Sequence, residues 1–305
     1  MISPHRLHLT PIAVLVGLST SGCGGAGDEG GHAPESPAES NIIRVTGSDT
    51  MVNLAQAWAE DYQGDHPEIS IQVAGGGSGV GIAGLIDGIV DMANASRKMK
   101  STELKRAEQA LGMSAVEHVV GLDALAVYVH KDNPLESIAI PELAEIYGEG
   151  GETTLWAQIG GSSAACSRDE IVRISRQNNS GTYVYFRRAV LGAGREYKLG
   201  SIDQSGSKDV VALVSKTPCA IGYSGMAYAT PEVKSLPVAA EKGAEAITPT
   251  TETAASGDYP ISRPLLIYTA GEPTGAIRDY LDWIYSPAGQ RIVAEIGYVP
   301  IKAVE

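Results

Sequence analysis

The first third of the chain repeats one short plan three times, and that plan restricts the fold more than any overall property does. A β-branched run, Ile42 to Thr46, ends in Gly47-Ser48-Asp49-Thr50. Apolar residues then recur at Val52, Leu54, Ala55, Trp58 and Tyr62, a helical spacing that stops at Gly64 and Pro67. The second pass runs from Ile69 to Ala74, through a glycine-rich turn holding Ser78, into a helix that reaches Leu85. A third strand ends at Asn94-Ala95-Ser96-Arg97 and precedes a polar helix from Thr102 to Leu111. Strands alternating with helices at this spacing predict an α/β protein with mostly parallel sheets, in which ligands bind beyond the carboxyl ends of the strands. Small hydroxyl residues occupy all three of those ends.

Downstream the plan resumes. Leu125 to His130 reads as a buried strand and "PELAEIYG" as a short helix with Pro141 at its start. "IVRIS" is the next strand, and it leads into Asn178-Asn179-Ser180-Gly181-Thr182. Short polar side chains at such a junction suit an ordinary helix N-cap. They equally suit an anion site, because the free N–H groups and the positive dipole end of the helix point at whatever sits there. "KDVVALVSK" reads as a helix, "CAIGYSG", "VKSLPV" and "YPISRPLLIYT" as strands, and the end of the chain as two amphipathic helices broken at Ser286-Pro287.

The amino end has its own organisation. Residues 1–23 carry His5 and Arg6, then an apolar stretch from Ile12 to Leu18 too short to span a bilayer, then small residues ending at Cys23. That is the layout of a secretory signal. Its "LSTSGC" resembles the lipobox of bacterial lipoproteins, and the resemblance implies lipidation of Cys23. Residues 24–40, rich in Gly, Pro, Ser and Glu, read as a flexible tether. Of three cysteines, Cys166 and Cys219 remain for an oxidising compartment. A disulfide between them is expected, with two separate buried thiols as the alternative.

A formal net charge of −13 argues against nucleic acid as a partner. It does not exclude an anionic ligand, since contact donors act at short range while exposed charges are screened beyond about 8 Å. The histidines show no paired ligand spacing and no two cysteines stand two residues apart, so no metal site is expected. Gly79 to Gly84 matches the GxGxxG spacing of dinucleotide-binding loops, a weak signal here because the acidic residue expected at a later strand end is missing. Ser78, Ser180 and Ser224 each adjoin a glycine, yet none lies in a GxSxG elbow.

Taken in order, "TGSDTM", "GGGSGVGIAGLIDG", "ASRKMK", "GLDALAVYVHKDNP", "RQNNSGTYVYF" and "AIGYSGMAYA" resemble the phosphate-binding proteins of bacterial ABC-type phosphate importers, and the likeness runs from Ile42 to Ile301. The resemblance implies a two-lobed periplasmic-binding-protein fold of type 2, with two crossovers between lobes and a ligand cleft. Lobe one would be residues 41–124 and 264–305, and lobe two residues 125–263. It implies no cofactor and no catalysis. The partners would be inorganic phosphate and the permease subunits of an importer, for a monomer held to the membrane by its lipid anchor in the periplasm or at the cell surface. Sulfate, molybdate and a phosphate-ester hydrolase are the alternatives.

Carried over position by position, Thr50, Ser78, Arg176, Ser180, Gly181 and Thr182 would contact phosphate. Ser48 and Ser96 are further candidates from the same strand ends. One position departs from the best-known members, in which an aspartate after the third-strand serine accepts the ligand's proton. Arg97 stands there, leaving Arg97 as a ligand-facing candidate and Asp49 as either a replacement acceptor or, more simply, an N-cap.

Overall fold

The computed structural model describes residues 41–302. The signal-like segment, the tether and Cys23 therefore lie outside the described residues. In chain order the strands are β1 (Ile42–Gly47), β2 (Ser70–Ala74), β3 (Met92–Ala95), β4 (Ala115–His130), β5 (Ile138–Ala139), β6 (Val172–Arg176), β7 (Ile202–Gln204), β8 (Ala220–Gly225), β9 (Val233–Leu236), β10 (Val238–Ala239), β11 (Ala246–Ile247) and β12 (Ser262–Ala270). The helices are α1 (Val52–Asp65), α2 (Ser78–Ile86), α3 (Ser101–Leu111), α4 (Ile140–Tyr147), α5 (Gly181–Phe186), α6 (Ser207–Lys216), α7 (Thr251–Ser256), α8 (Gly275–Ile284) and α9 (Pro287–Glu295). A π turn, Arg187–Leu191, prolongs α5.

One sheet carries the strand order β2-β1-β3-β12-β4-β8-β6-β7, with β9 also paired to β4. Its flanks are parallel, β1 with β2 and β3, and β6 with β7 and β8. Its centre is antiparallel, because β12 pairs with both β3 and β4 and β4 pairs with β8 and β9. The expectation of mostly parallel pairing therefore holds only for the flanks. A second, three-stranded sheet runs β11-β10-β5.

The central strand β4 begins ten residues earlier than the alternation around Leu125 suggests. Glu117 and His118 aside, Gly121 and Asp123 interrupt the apolar pattern of its first nine residues. Neighbours explain both: Gly121 lies against Val293 and Val299, and Asp123 stands opposite Arg263 on β12. At about 3.3 Å per residue, a sixteen-residue strand is roughly 50 Å long, enough to run through both halves of the sheet. It changes partners on the way: Ala124 pairs with Ser262 of β12, and Leu125 with Gly225 of β8.

Each half has helices on both faces, as buried strands with near-continuous apolar runs demand. In the first half Trp58 and Tyr62 of α1 pack with Tyr280 and Ile284 of α8 on one face, while Ile82 and Leu85 of α2 pack with Ala107 of α3 on the other. In the second half Leu143, Tyr147, Phe186 and Tyr223 form one core, and Val210, Val211 and Val214 of α6 form the other with Tyr128. Full burial of each such side chain stabilises the fold by about 1.5 to 3 kcal/mol. Cys166 and Cys219 are disulfide-bonded, with Cα atoms 5.0 Å apart, and tie the loop before β6 to the start of β8.

Candidate functional site

The ends of β1 and β3 and the starts of α2 and α5 meet at one buried spot. Ser48 and Thr50 follow β1, Ser78 opens α2, Ser96 follows β3, and Ser180 and Thr182 flank the first residue of α5. All six side chains are buried. Ser48 Oγ donates to Ser96 Oγ at 3.0 Å, and Ser78 Oγ accepts from the Ser96 N–H at 3.1 Å and lies 3.4 Å from Ser96 Oγ. Thr50 Oγ1 and Thr182 Oγ1 stand 3.0 Å apart. A Cβ on Gly181 would fall 2.2 Å from Ser78 Oγ and 2.5 Å from Ser96 Oγ, so only glycine lets α5 begin against these hydroxyls. Ser180 caps the helix, its Oγ accepting from the Thr182 N–H at 3.2 Å. The sequence candidates Thr50, Ser78, Ser180, Gly181, Thr182, Ser48 and Ser96 thus come together.

The charged candidates are placed differently. Arg176 spends Nε on the Gln204 carbonyl, Nη1 on Ser207 Oγ at 2.9 Å, and Nη2 on both Asp49 Oδ2 at 2.9 Å and the Ser205 carbonyl at 2.6 Å. Of the five N–H groups of a guanidinium, one on Nη1 remains uncommitted. Asp49 does not cap α1, whose N-cap is Met51 with no side-chain bond. It joins Arg176 and accepts the Gly76 N–H at 2.8 Å. Arg97 is held by both oxygens of Glu103, at 2.7 Å each, and by the Lys98 carbonyl. A bidentate carboxylate therefore takes up the residue that stands where a family aspartate was expected.

Sequence reasoning missed the most connected group of the site. Arg263 is fully buried and bonds Asp123 through Nε at 2.9 Å and Nη2 at 2.7 Å. It also donates to Thr182 Oγ1 and Thr50 Oγ1, at 3.2 Å each, and to the Ser96 carbonyl at 3.4 Å. The signal was a lone acid in one apolar strand, "GLDALAVYVH", and a lone base in another, "SRPLLIYT"; cross-strand register makes them direct neighbours. Tyr228 and Tyr298 were also missed: both hydroxyls donate to the Thr50 carbonyl, at 3.0 and 2.7 Å, and fix the turn after β1.

Burial pushes the Asp123 carboxyl upward, and the adjacent Arg263 guanidinium only partly offsets it. Burial lowers Arg176, against the pull of Asp49. Both cations sit in a dry, paired setting. The described histidines bond elsewhere: His66 with Glu68, His118 with Thr269, His130 with Asp132. Hydroxyl and N–H donors gathered at one buried spot, with none of the described histidines bonded to these serines, are equipped to hold an anion.

The sequence profile of the PBP superfamily domain matches residues 32–288. The phosphate-binding protein PstS of Pseudomonas aeruginosa PAO1 is 33% identical over 274 residues, 87% of this chain and 84% of its own length. PstS of Bacillus subtilis 168 is 30% identical over 306 residues, covering 97% and 94% of the two chains. A phosphate-bound substrate-binding protein of Clostridium perfringens, assigned to phosphate ABC transport, superposes with a TM-score of 0.75 at 29% identity, over 86% of this chain and all of that one. The fold is the two-lobed periplasmic-binding-protein fold. On sequence and structure together, the chain belongs to the PBP superfamily and, within it, to the family of the phosphate-binding protein PstS.

Proposed function

We propose that this protein binds inorganic phosphate in the cleft between its lobes and delivers it to the permease of an ABC importer, without turning it over. The convergence of Ser48, Thr50, Ser78, Ser96, Ser180 and Thr182 on one buried spot carries this reading. Phosphate needs many donors in fixed directions, and the hydroxyls with the N–H group of Gly181 supply them. The partner switch of β4 between Ala124 and Leu125 supports lobes at residues 41–124 with 264–305 and at 125–263. Since Thr50 and Ser78 belong to one lobe and Thr182 to the other, an anion that bonds both favours closure.

Export, lipidation at Cys23 and a monomeric state complete the proposal. The signal-like layout of residues 1–23 and the "LSTSGC" stretch support the first two. One observation favours a broader ligand class. Asp49, Glu103 and Asp123 each turn to an arginine rather than to the hydroxyl cluster. These three carboxylates, among the described residues, are thus committed elsewhere than to the phosphate proton, and sulfate becomes a competitor. Calorimetric titration with phosphate, after ligand is stripped by unfolding and refolding, tests the function: saturable binding at one site per chain is expected, and its absence would sink the proposal.

A further inference from the structure

We infer that Arg263 is a positioning residue that turns the hydroxyls of Thr50 and Thr182 into obligatory donors and couples the two lobes through one guanidinium. The inference rests on the phosphate-binding reading and adds a residue to the machinery of that site. Arg263 commits all five N–H groups: two to Asp123, one to the Ser96 carbonyl, one to Thr50 Oγ1 and one to Thr182 Oγ1. A guanidinium has donors only. A threonine oxygen that accepts from it must therefore send its single proton elsewhere.

The two threonines stand 3.0 Å apart, so one proton can be shared between them and the other must point out. A bound anion receives what an arginine cannot, and both protons then turn to it. Glutamine at 263 would behave differently, because its carbonyl can take a threonine proton and withdraw a donor from the ligand. Thr50 and Ser96 lie in lobe one and Thr182 in lobe two, so the same fork also holds the lobes in register where Arg263 enters β12.

Asp123 makes the arrangement durable. Its Oδ2 accepts both Nε and Nη2, which fixes the plane of the fork, and its Oδ1 accepts the Met226 N–H at 3.3 Å. The cation and its counter-ion are both fully buried, an arrangement that favours geometric definition over net stability.

A double-mutant cycle tests the inference. Phosphate and sulfate are titrated into wild type, Thr182→Val, Arg263→Lys, the pair-deleted Arg263→Met/Asp123→Leu, and the last two combined with Thr182→Val, with melting recorded for each. Thr182→Val is expected to weaken phosphate binding tenfold or more in wild type but less than threefold in either Arg263 background, since interacting groups are not additive. Arg263→Lys keeps the charge and loses the fork, so it is expected to fold and to bind at least tenfold more weakly. Wild-type affinity in Arg263→Lys, or additive losses in the cycle, would overturn the inference. Absence of binding by wild type to either anion would refute the ligand assignment and the inference with it.

Discussion

Thr50 and Thr182 are 132 positions apart in the chain, and their hydroxyl oxygens are 3.0 Å apart in the structure. The first follows β1 and the second is the second residue of α5. Neither is exposed. Replacing either by valine keeps the shape and removes one donor to a charged ligand, a change of about 1.5 to 3 kcal/mol. Each variant is expected to bind phosphate about ten- to a hundredfold more weakly and, because an Arg263 N–H loses its buried acceptor, to melt below wild type. Calorimetry beside a thermal melt checks both, and wild-type affinity in Thr50→Val would remove Thr50 from the site.

Asp49, after β1, and Arg176, at the end of β6, form an ion pair at 2.9 Å, with the arginine fully buried, and under the proposed lobe division this pair bridges the lobes. Breaking one partner of such a pair acts mainly on the rate of release. Asp49→Asn is expected to raise the phosphate dissociation rate on the order of tenfold or more while leaving association within about threefold. Stopped-flow release into a phosphate trap measures it. An unchanged off-rate would mean that the pair does not hold the closed form.

Glu103 is held below its ordinary value of 4.5: burial alone would raise it, but the bonds from Arg97 and the Lys100 N–H outweigh burial. A depressed carboxylate contributes stability above its unfolded pKa, and that contribution fades as pH falls through the folded value. Wild type is therefore expected to lose stability below pH 4.5 more steeply than Glu103→Gln, which has nothing to protonate. Urea melts across that range decide it, and parallel curves would contradict the assignment.

The Cys166–Cys219 bridge closes a separation of 53 residues. Chain-entropy reasoning assigns it about 4 kcal/mol. Cys166→Ser/Cys219→Ser is expected to melt well below wild type yet, while folded, to bind phosphate normally, because the bridge lies in the second-half core away from the hydroxyls. A large loss of affinity at temperatures where the variant is folded would show that the bridge shapes the cleft.

With Asp49, Glu103 and Asp123 each turned to an arginine, discrimination between phosphate and sulfate is expected to stay within about a hundredfold. Sites that reject an analogue by leaving buried polar groups unpaired reach about 10⁴. A ratio above that, measured by competition at neutral pH, would reveal a proton acceptor among the groups now bonded to arginine.

Much of this was legible in the sequence because it is local. Three strand-turn-helix units, with Thr50, Ser78 and Ser96 at their turns, follow from the change of period from two to 3.6 over a few residues. The Gly181 junction was visible for the same reason. Arg263 was not, since its meaning depends on Asp123, 140 residues earlier. A charge in an apolar run looks like an interruption until the strand opposite supplies the other charge. The first half of β4 escaped notice on those grounds, and the cap reading of Asp49 failed because its partner Arg176 stands 127 residues away.

The pairing of every arginine near the hydroxyls, Arg97 with Glu103, Arg176 with Asp49 and Arg263 with Asp123, has a physiological consequence. Cations already neutralised in place leave dissolved counter-ions nothing to displace, so the grip on the ligand depends on fixed dipoles a few ångströms away, well inside the screening distance of any ordinary medium. Such a cleft is expected to hold its ligand alike in dilute fresh water and at physiological salt, where the screening length is still about 8 Å, and a cell relying on it could scavenge its nutrient through osmotic swings that would weaken a receptor built on bare positive charge.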